Sequence, residues 1–159
     1  MSFTHLDEKQ QAQMVDIANK TPTRRAAVAQ GKVFTTTDVA TRVAQQKVAK
    51  GDVLSVARVA GIQAAKRTSE LIPLCHGLTI SSARVDFVIH KKIIEITAKV
   101  TAVDRTGVEM EALTACSVAA LTIYDMCKSL DRSMVIGEIV LQEKTGGRSG
   151  AYYSHSHEA

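Results

Sequence analysis

The chain has 159 residues, 45% of them apolar and 23% charged, with a net charge of +4 at pH 7 and a pI near 9.1. A chain of this length buries roughly 68–70% of the surface its unfolded form exposes, enough for one core without disulfides or metals. Nine Gly, two Pro and the apolar share exclude collagen-like, low-complexity and wholly disordered chains, and the mild basic surplus is compatible with a phosphorylated ligand or nucleic acid without selecting either.

Residues 1–20 are polar and aperiodic and read as an arm. Thr21-Pro22 predicts a helix start, with Thr as N-cap, Pro at the first helical position and Gly31 as the stop. The stretch 33–36, rich in β-branched residues, predicts a short strand, and Thr37-Asp38 opens a second helix to about Ala49. Lys50-Gly51 interrupts it, Asp52 caps a longer helix to about Leu71, and Pro73 ends that helix, leaving Leu71 to Gly77 as a loop. Alternation of Ala83, Val85, Phe87 and Ile89 predicts a strand over 78–89. After a tight connection at His90-Lys91-Lys92, Ile94, Ile96, Ala98 and Val100 predict a second strand over 93–103. Gly107 precedes a long helix to about Leu130, residues 135–142 read as a last strand, and 145–159 as a flexible tail. The expectation is a single domain over 1–159 with an α+β, ferredoxin-like β-α-β-β-α-β order. It has an antiparallel sheet, helices on one face and an extra N-terminal helical segment.

No run approaches the ~18 consecutive apolar residues that cross a bilayer. Asp7, Glu8, Lys9 and Asp16 stand where a signal peptide needs an apolar stretch. The three cysteines, Cys75, Cys116 and Cys127, contain no C-x-x-C pair and predict free thiols in a reducing cytoplasm, with Cys116 and Cys127 in the core.

The long helix carries thirteen consecutive uncharged residues, Ala112 to Tyr124. A helix apolar all round is buried all round, so cover beyond one sheet is expected, most economically from a second subunit. Asp125 and Lys128 follow, about 60° apart on one helix edge. Such a pair is ordinarily a helical ion pair, but in apolar surroundings desolvation makes a lysine a usable base. Glu109-Met110-Glu111 opens the same helix, where acidic residues ordinarily answer the macrodipole. Sixteen residues, roughly 24 Å, separate Glu109 from Asp125, so both ends serve one small ligand only across two subunits. Lys50 precedes a helix N-terminus and could bind phosphate or move a proton, while Asp52 is most simply a cap. His76 has no second histidine at ligand spacing, and no metal site is expected. His155 and His157 belong to the polar tail. The segment Lys144 to Gly150 combines glycines, a serine and two cations that could cradle phosphate, without the P-loop pattern.

Taken together, KGDVLSVARVAGIQAAKRTSELIPLCH (50–76) and TGVEMEALTACSVAALTIYDMCK (106–128) closely resemble the molybdenum cofactor biosynthesis protein C family, the cyclic pyranopterin monophosphate synthases. Met14-Val15-Asp16 and the G-G-[KR]-S-G segment at 146–150 fit the same family, whereas Gly77 stands where the family usually has Pro after L-C-H. The resemblance implies a homo-hexamer, a trimer of dimers with active sites at the dimer interface, and a small-molecule substrate. That substrate is a GTP cyclised between its ribose and carbon eight of guanine, rearranged to cyclic pyranopterin monophosphate with release of diphosphate. It implies Asp125, Lys50 and Lys128 as the acid/base group. Leu74, Cys75, His76, Met110 and Glu111 would line the substrate, and Glu109, Arg25, Lys144 and Arg148 would complete the pocket.

That chemistry opens one ring, closes another and forms a cyclic phosphate, moving protons on nitrogen or oxygen, work for lysines and a carboxylate. A triphosphate of about four negative charges calls for basic partners. No redox cofactor is required, and a divalent ion accompanying the triphosphate stays open. The competing classes are a nucleic-acid module and a small-molecule regulatory module on the same fold. The first would stack bases on strand aromatics, of which 78–103 hold only Phe87. The second has no use for Lys50, Asp125 and Lys128 together.

Overall fold

A computed structural model of the chain describes residue 7 and residues 9–154; the rest of the arm and of the tail, with His155 and His157, lies outside the described residues. Among these residues, a five-stranded antiparallel sheet, its strands ordered second-third-first-fourth-fifth in chain order, carries two long helices on one face, an α+β architecture with the ferredoxin-like strand order. The strands are β1 (Thr23–Phe34), β2 (Ile80–Ile89), β3 (Ile93–Asp104), β4 (Val135–Thr145) and β5 (Tyr152–Tyr153). The helices are α1 (Thr37–Ala44), α2 (Val53–Lys66), the one-turn α3 (Thr68–Leu71) and α4 (Glu109–Cys127).

The main correction is at β1. The segment 21–31, expected to be a helix, is the central strand, in register with β3 from Thr23↔Asp104 to Phe34↔Ile93 and with β4 from Ala26↔Thr145 to Phe34↔Val135. There is thus no extra N-terminal helix among the described residues. Alanine favours helix, but Ala27, Ala29, Gly31 and Val33 alternate inward. Tertiary context overrides propensity because α4 lies directly on this strand. A Cβ on Gly31 would come within 2.9 Å of Cys116 Sγ and 3.0 Å of Ile139 Cγ1. Small residues let the helix sit this close.

The other elements follow local chemistry. Thr36 caps α1 by accepting from Val39 N, and the helix ends at Ala44 rather than Ala49 because Gln46 turns left-handed at φ 55°. Asp52 caps α2 by accepting from Ser55 N at 3.1 Å. The helix expected to reach Leu71 breaks at Arg67, where the buried Thr68 hydroxyl donates to the Ala64 and Ala65 carbonyls at 3.2 and 3.1 Å. The β2–β3 hairpin closes at His90-Lys91-Lys92, with His90 N donating to Ile93 O at 2.8 Å.

Helix α4 has the sheet beneath it and α2 beside it. Gly61 of α2 faces Ala115 and Ala119 of α4, and a Cβ there would stand 2.9 Å from the Ala115 carbonyl oxygen. The cover expected from a second subunit therefore comes largely from α2, although Leu121 remains 57% exposed. By length and composition α4 could span a bilayer, yet most of it is buried in the aliphatic core with Ile94, Ile96, Val100 and both Cys116 and Cys127.

Candidate active site

The two ends of α4 build two different environments. At its C-terminal end the last turn presents Asp125, and the cap residue Lys128 places Nζ 2.6 Å from Asp125 Oδ1. Lys50 arrives from the α1–α2 connection, where Gly51 takes φ 103° and its N–H donates to Val48 O. Lys50 Nζ donates to Asp125 O at 2.8 Å and to Asp125 Oδ2 at 3.2 Å. One carboxylate thus bridges two ammonium groups 75 and three positions away in the chain. The hydrogen bond from Lys128, then that from Lys50, hold the Asp125 carboxyl below the ordinary carboxylate range.

The apolar surroundings expected for this trio are not there within one chain. Lys50, Asp125 and Lys128 side chains are 44, 58 and 50% exposed. The uncharged run faces sheet and α2, whereas Asp125 and Lys128 continue the outward edge begun by Leu121.

At the N-terminal end of α4 lies a cavity of about 720 Å³. The loop after α3 contributes Leu74, Cys75 and His76, and the first turn of α4 contributes Glu109, Met110 and Glu111. Glu111 is only 4% exposed. Burial, with Glu109 and Asp104 adding to it, pushes its carboxyl up to about 7. Burial likewise pushes the Cys75 thiol up, which makes it a poor nucleophile at neutral pH. Gly77 has room for a larger residue, since a Cβ would meet only Ser69 Oγ at 3.6 Å.

Cations flank this cavity. Lys144 of β4 places Nζ 3.8 Å from Glu109 Oε1 and also donates to Ser149 Oγ. Arg25 of β1 donates from Nε to Asp104 O at 3.3 Å and from NH2 to Arg105 O at 3.4 Å. The chain then folds over Arg24 and Arg25 through Gly146 and Gly147, at φ 93° and 80°. A Cβ on Gly146 would collide with the Arg24 carbonyl oxygen, so only glycine fits. Arg148 lies on the following turn, exposed and, among the described residues, without an ion pair. The tail expected to be flexible from 145 instead returns as β5, pairing Tyr152 with Lys144 and Tyr153 with Glu143.

The twelve residues singled out from the sequence therefore fall into two groups. Leu74, Cys75, His76, Glu109, Met110 and Glu111 share the cavity, with Arg25 and Lys144 beside it and Arg148 on the nearby turn. Lys50, Asp125 and Lys128 meet at the other end of α4, sixteen positions or roughly 24 Å away. Sequence reasoning missed the arm's part in the cavity, Val15, Ile17 and Lys20, for which the apolar alternation at 15 and 17 was the available signal. Among the described residues no group of three His, Cys, Asp or Glu could hold a metal ion.

Known proteins resemble this chain along nearly its whole length. The model of the MoaC family matches residues 14–147. A protein of Heliobacterium modesticaldum named cyclic pyranopterin monophosphate synthase is 56% identical over 152 residues, covering 94% of this chain and 96% of its own. Proteins of the same name from Thermomicrobium roseum and Desulfitobacterium hafniense are 56% and 52% identical, over 99% of this chain and 96% and 97% of their own.

Proposed function

The chain belongs to the MoaC family, and from that premise we propose that it is a cyclic pyranopterin monophosphate synthase, a lyase of molybdenum cofactor biosynthesis. It converts 3',8-cyclo-7,8-dihydro-GTP to cyclic pyranopterin monophosphate and diphosphate, with no change of oxidation state and no redox cofactor. The observation that carries this reading is the Asp125 carboxylate held between Lys50 and Lys128, at the far end of the helix whose first turn supplies Glu109 and Glu111 to the cavity.

In this reading the cavity of one chain holds the substrate. Its apolar wall of Leu74 and Met110 takes the heterocycle, while His76 and Glu111 offer hydrogen bonds to ring nitrogens. Lys144, Arg25 and Arg148 receive the triphosphate. Lys50 and Lys128 exchange protons with the opening and closing rings, and Asp125 orients both ammonium groups and holds the charge they share. A divalent ion, where one is carried, enters on the triphosphate oxygens.

The distance along α4 supports a complete site shared between two chains, and the proposed assembly is a homo-hexamer built as a trimer of dimers. A partner docked over the exposed trio would exclude water from it, the condition under which a lysine becomes an effective base. The free Cys75, Cys116 and Cys127 accord with a cytoplasmic enzyme. The test is a coupled assay in which the cyclised GTP is supplied and the pterin product is read by fluorescence after oxidation. Product formation at catalytic enzyme concentration is expected; binding of the cyclised nucleotide without turnover would overturn the assignment.

A further inference from the structure

We propose that Gly51 is a positioning residue for the reaction: its left-handed backbone carries the Lys50 ammonium group to Asp125. This rests on the reaction proposed above. The members of the trio reach their meeting point by different routes. Asp125 and Lys128 stand three positions apart at the end of α4, so the helix itself sets their separation. Lys50 belongs to no helix or strand. Its contact with Asp125 depends on the path taken by the connection between α1 and α2.

That path is anchored on both sides of Lys50. Behind it, Gln46 N and Lys47 N donate to Val43 O and Arg42 O at 3.1 and 2.8 Å, and the Val48 side chain is buried in the core. Ahead of it, Asp52 accepts from Ser55 N at 3.1 Å and from Ser55 Oγ at 2.6 Å, which fixes where α2 begins. Between these anchors Gly51 takes φ 103°, its N–H donating to Val48 O at 3.0 Å. A Cβ there would meet nothing within 4 Å. Gly51 is therefore needed for its backbone conformation and not for space, unlike Gly31 and Gly61, where α4 packs against the missing side chain. An L residue would draw φ back to negative values and turn Lys50 onto another path.

The turn delivers Lys50 to two acceptors, Asp125 O at 2.8 Å and Asp125 Oδ2 at 3.2 Å. The carbonyl is one of the last four of α4, which have no partner within the helix, so it ties the ammonium group to the helix end independently of the carboxylate. The Lys50 side chain is partly exposed, where an ion pair alone holds a long side chain weakly. Its placement comes instead from the backbone behind it.

The experiment compares wild type with Gly51→Ala, Gly51→Asn, Lys50→Ala and the double variant Gly51→Ala/Lys50→Ala. Steady-state turnover of the cyclised GTP should show kcat about tenfold lower in Gly51→Ala, with KM within about two-fold. Gly51→Asn should fall between Gly51→Ala and wild type, because Asn takes positive φ more readily than Ala. Added to Lys50→Ala, Gly51→Ala should lower Tm as it does in wild type but cause no further loss of kcat. Carbon-13 titration of the Asp125 carboxyl supplies a readout without turnover. Lys128 and, after it, Lys50 hold that carboxyl low, so Gly51→Ala should raise it in the same direction as Lys50→Ala. Unchanged kcat in Gly51→Ala, in an enzyme that makes pterin, overturns the inference and leaves the proposed reaction standing. An equal loss of kcat in the Lys50→Ala background also overturns it, because the effect then does not pass through Lys50. An Asp125 carboxyl that moves as expected in a protein that makes no pterin overturns the reaction and supports the placement of Lys50 by Gly51.

Discussion

The two ends of α4 treat a carboxylate in opposite ways. At the N-terminal end Glu111 is buried and its carboxyl rises to about 7. At the C-terminal end Asp125 is exposed, bridged by two ammonium groups, and its carboxyl falls. Desolvation dominates the first and hydrogen bonding to cations the second. The enclosed end holds the cavity, and the proposed acid/base trio stands exposed at the opposite end of the same helix.

That contrast makes the largest expected effect a loss of chemistry without a loss of fold. Lys50→Ala and Lys128→Ala should each lower kcat by ~10²-fold or more, since general acid/base groups contribute that much. Because both side chains are about half exposed, the Tm should stay within a few degrees of wild type. Both variants retaining activity within tenfold of wild type would break the contrast at its C-terminal end.

The enclosed end is tested next through Gly146→Ala. A side chain at φ 93°, directed into the Arg24 carbonyl, costs about 1–3 kcal/mol or frees the segment from β1. Thermal unfolding and protease sensitivity of the tail should both register it, and a variant with wild-type Tm and an intact tail would contradict the close approach. Arg148→Ala should do less, raising KM about tenfold with kcat nearly unchanged, as expected of a phosphate contact on an exposed turn. A fall in kcat alone would remove Arg148 from the phosphate contacts.

The smallest effect is in stability against pH. Glu111 keeps its proton in the folded state up to about 7, whereas the unfolded chain releases it at the ordinary 4.5. The folded state therefore binds more protons in that window, and its contribution makes stability decline as pH rises from about 4.5 to 7. Denaturant titrations at pH 5 and pH 8 should show a smaller difference in Glu111→Gln than in wild type. Equal differences would mean that the buried carboxyl is not raised.

The sequence is most legible where pattern and chemistry agree. The hairpin strands over Ile80–Ile89 and Ile93–Asp104 show plain period-two alternation, and Asp52 caps α2 as its residue type predicts. The segment 21–31 misleads because Thr-Pro and alanines are local helix signals, whereas its strand identity depends on α4, which needs Ala27, Ala29 and Gly31 to be small. The tail misleads for a related reason. Tyr152 and Tyr153 form a two-residue edge strand that exists only because the glycine turn brings it back to β4. At the site, the long runs at 50–76 and 106–128 make every residue of the trio identifiable, but the exposure of the trio depends on which edge of α4 faces α2. Lys20 escapes notice because the arm has no regular structure, and its place follows from one turn at Asp16–Lys20.

The central claim is that the enclosed end of one chain and the exposed trio of another form one site, and subunit complementation tests it most directly. An Asp125→Ala protein and a His76→Ala protein, each inactive alone, are mixed under conditions where exchange is verified by mass, then assayed for pterin product. Shared sites predict recovery of part of the wild-type activity, since some interfaces then combine an intact cavity with an intact trio. Confirmed exchange with no recovered activity, or full activity in a 17.1 kDa monomer, would contradict the account.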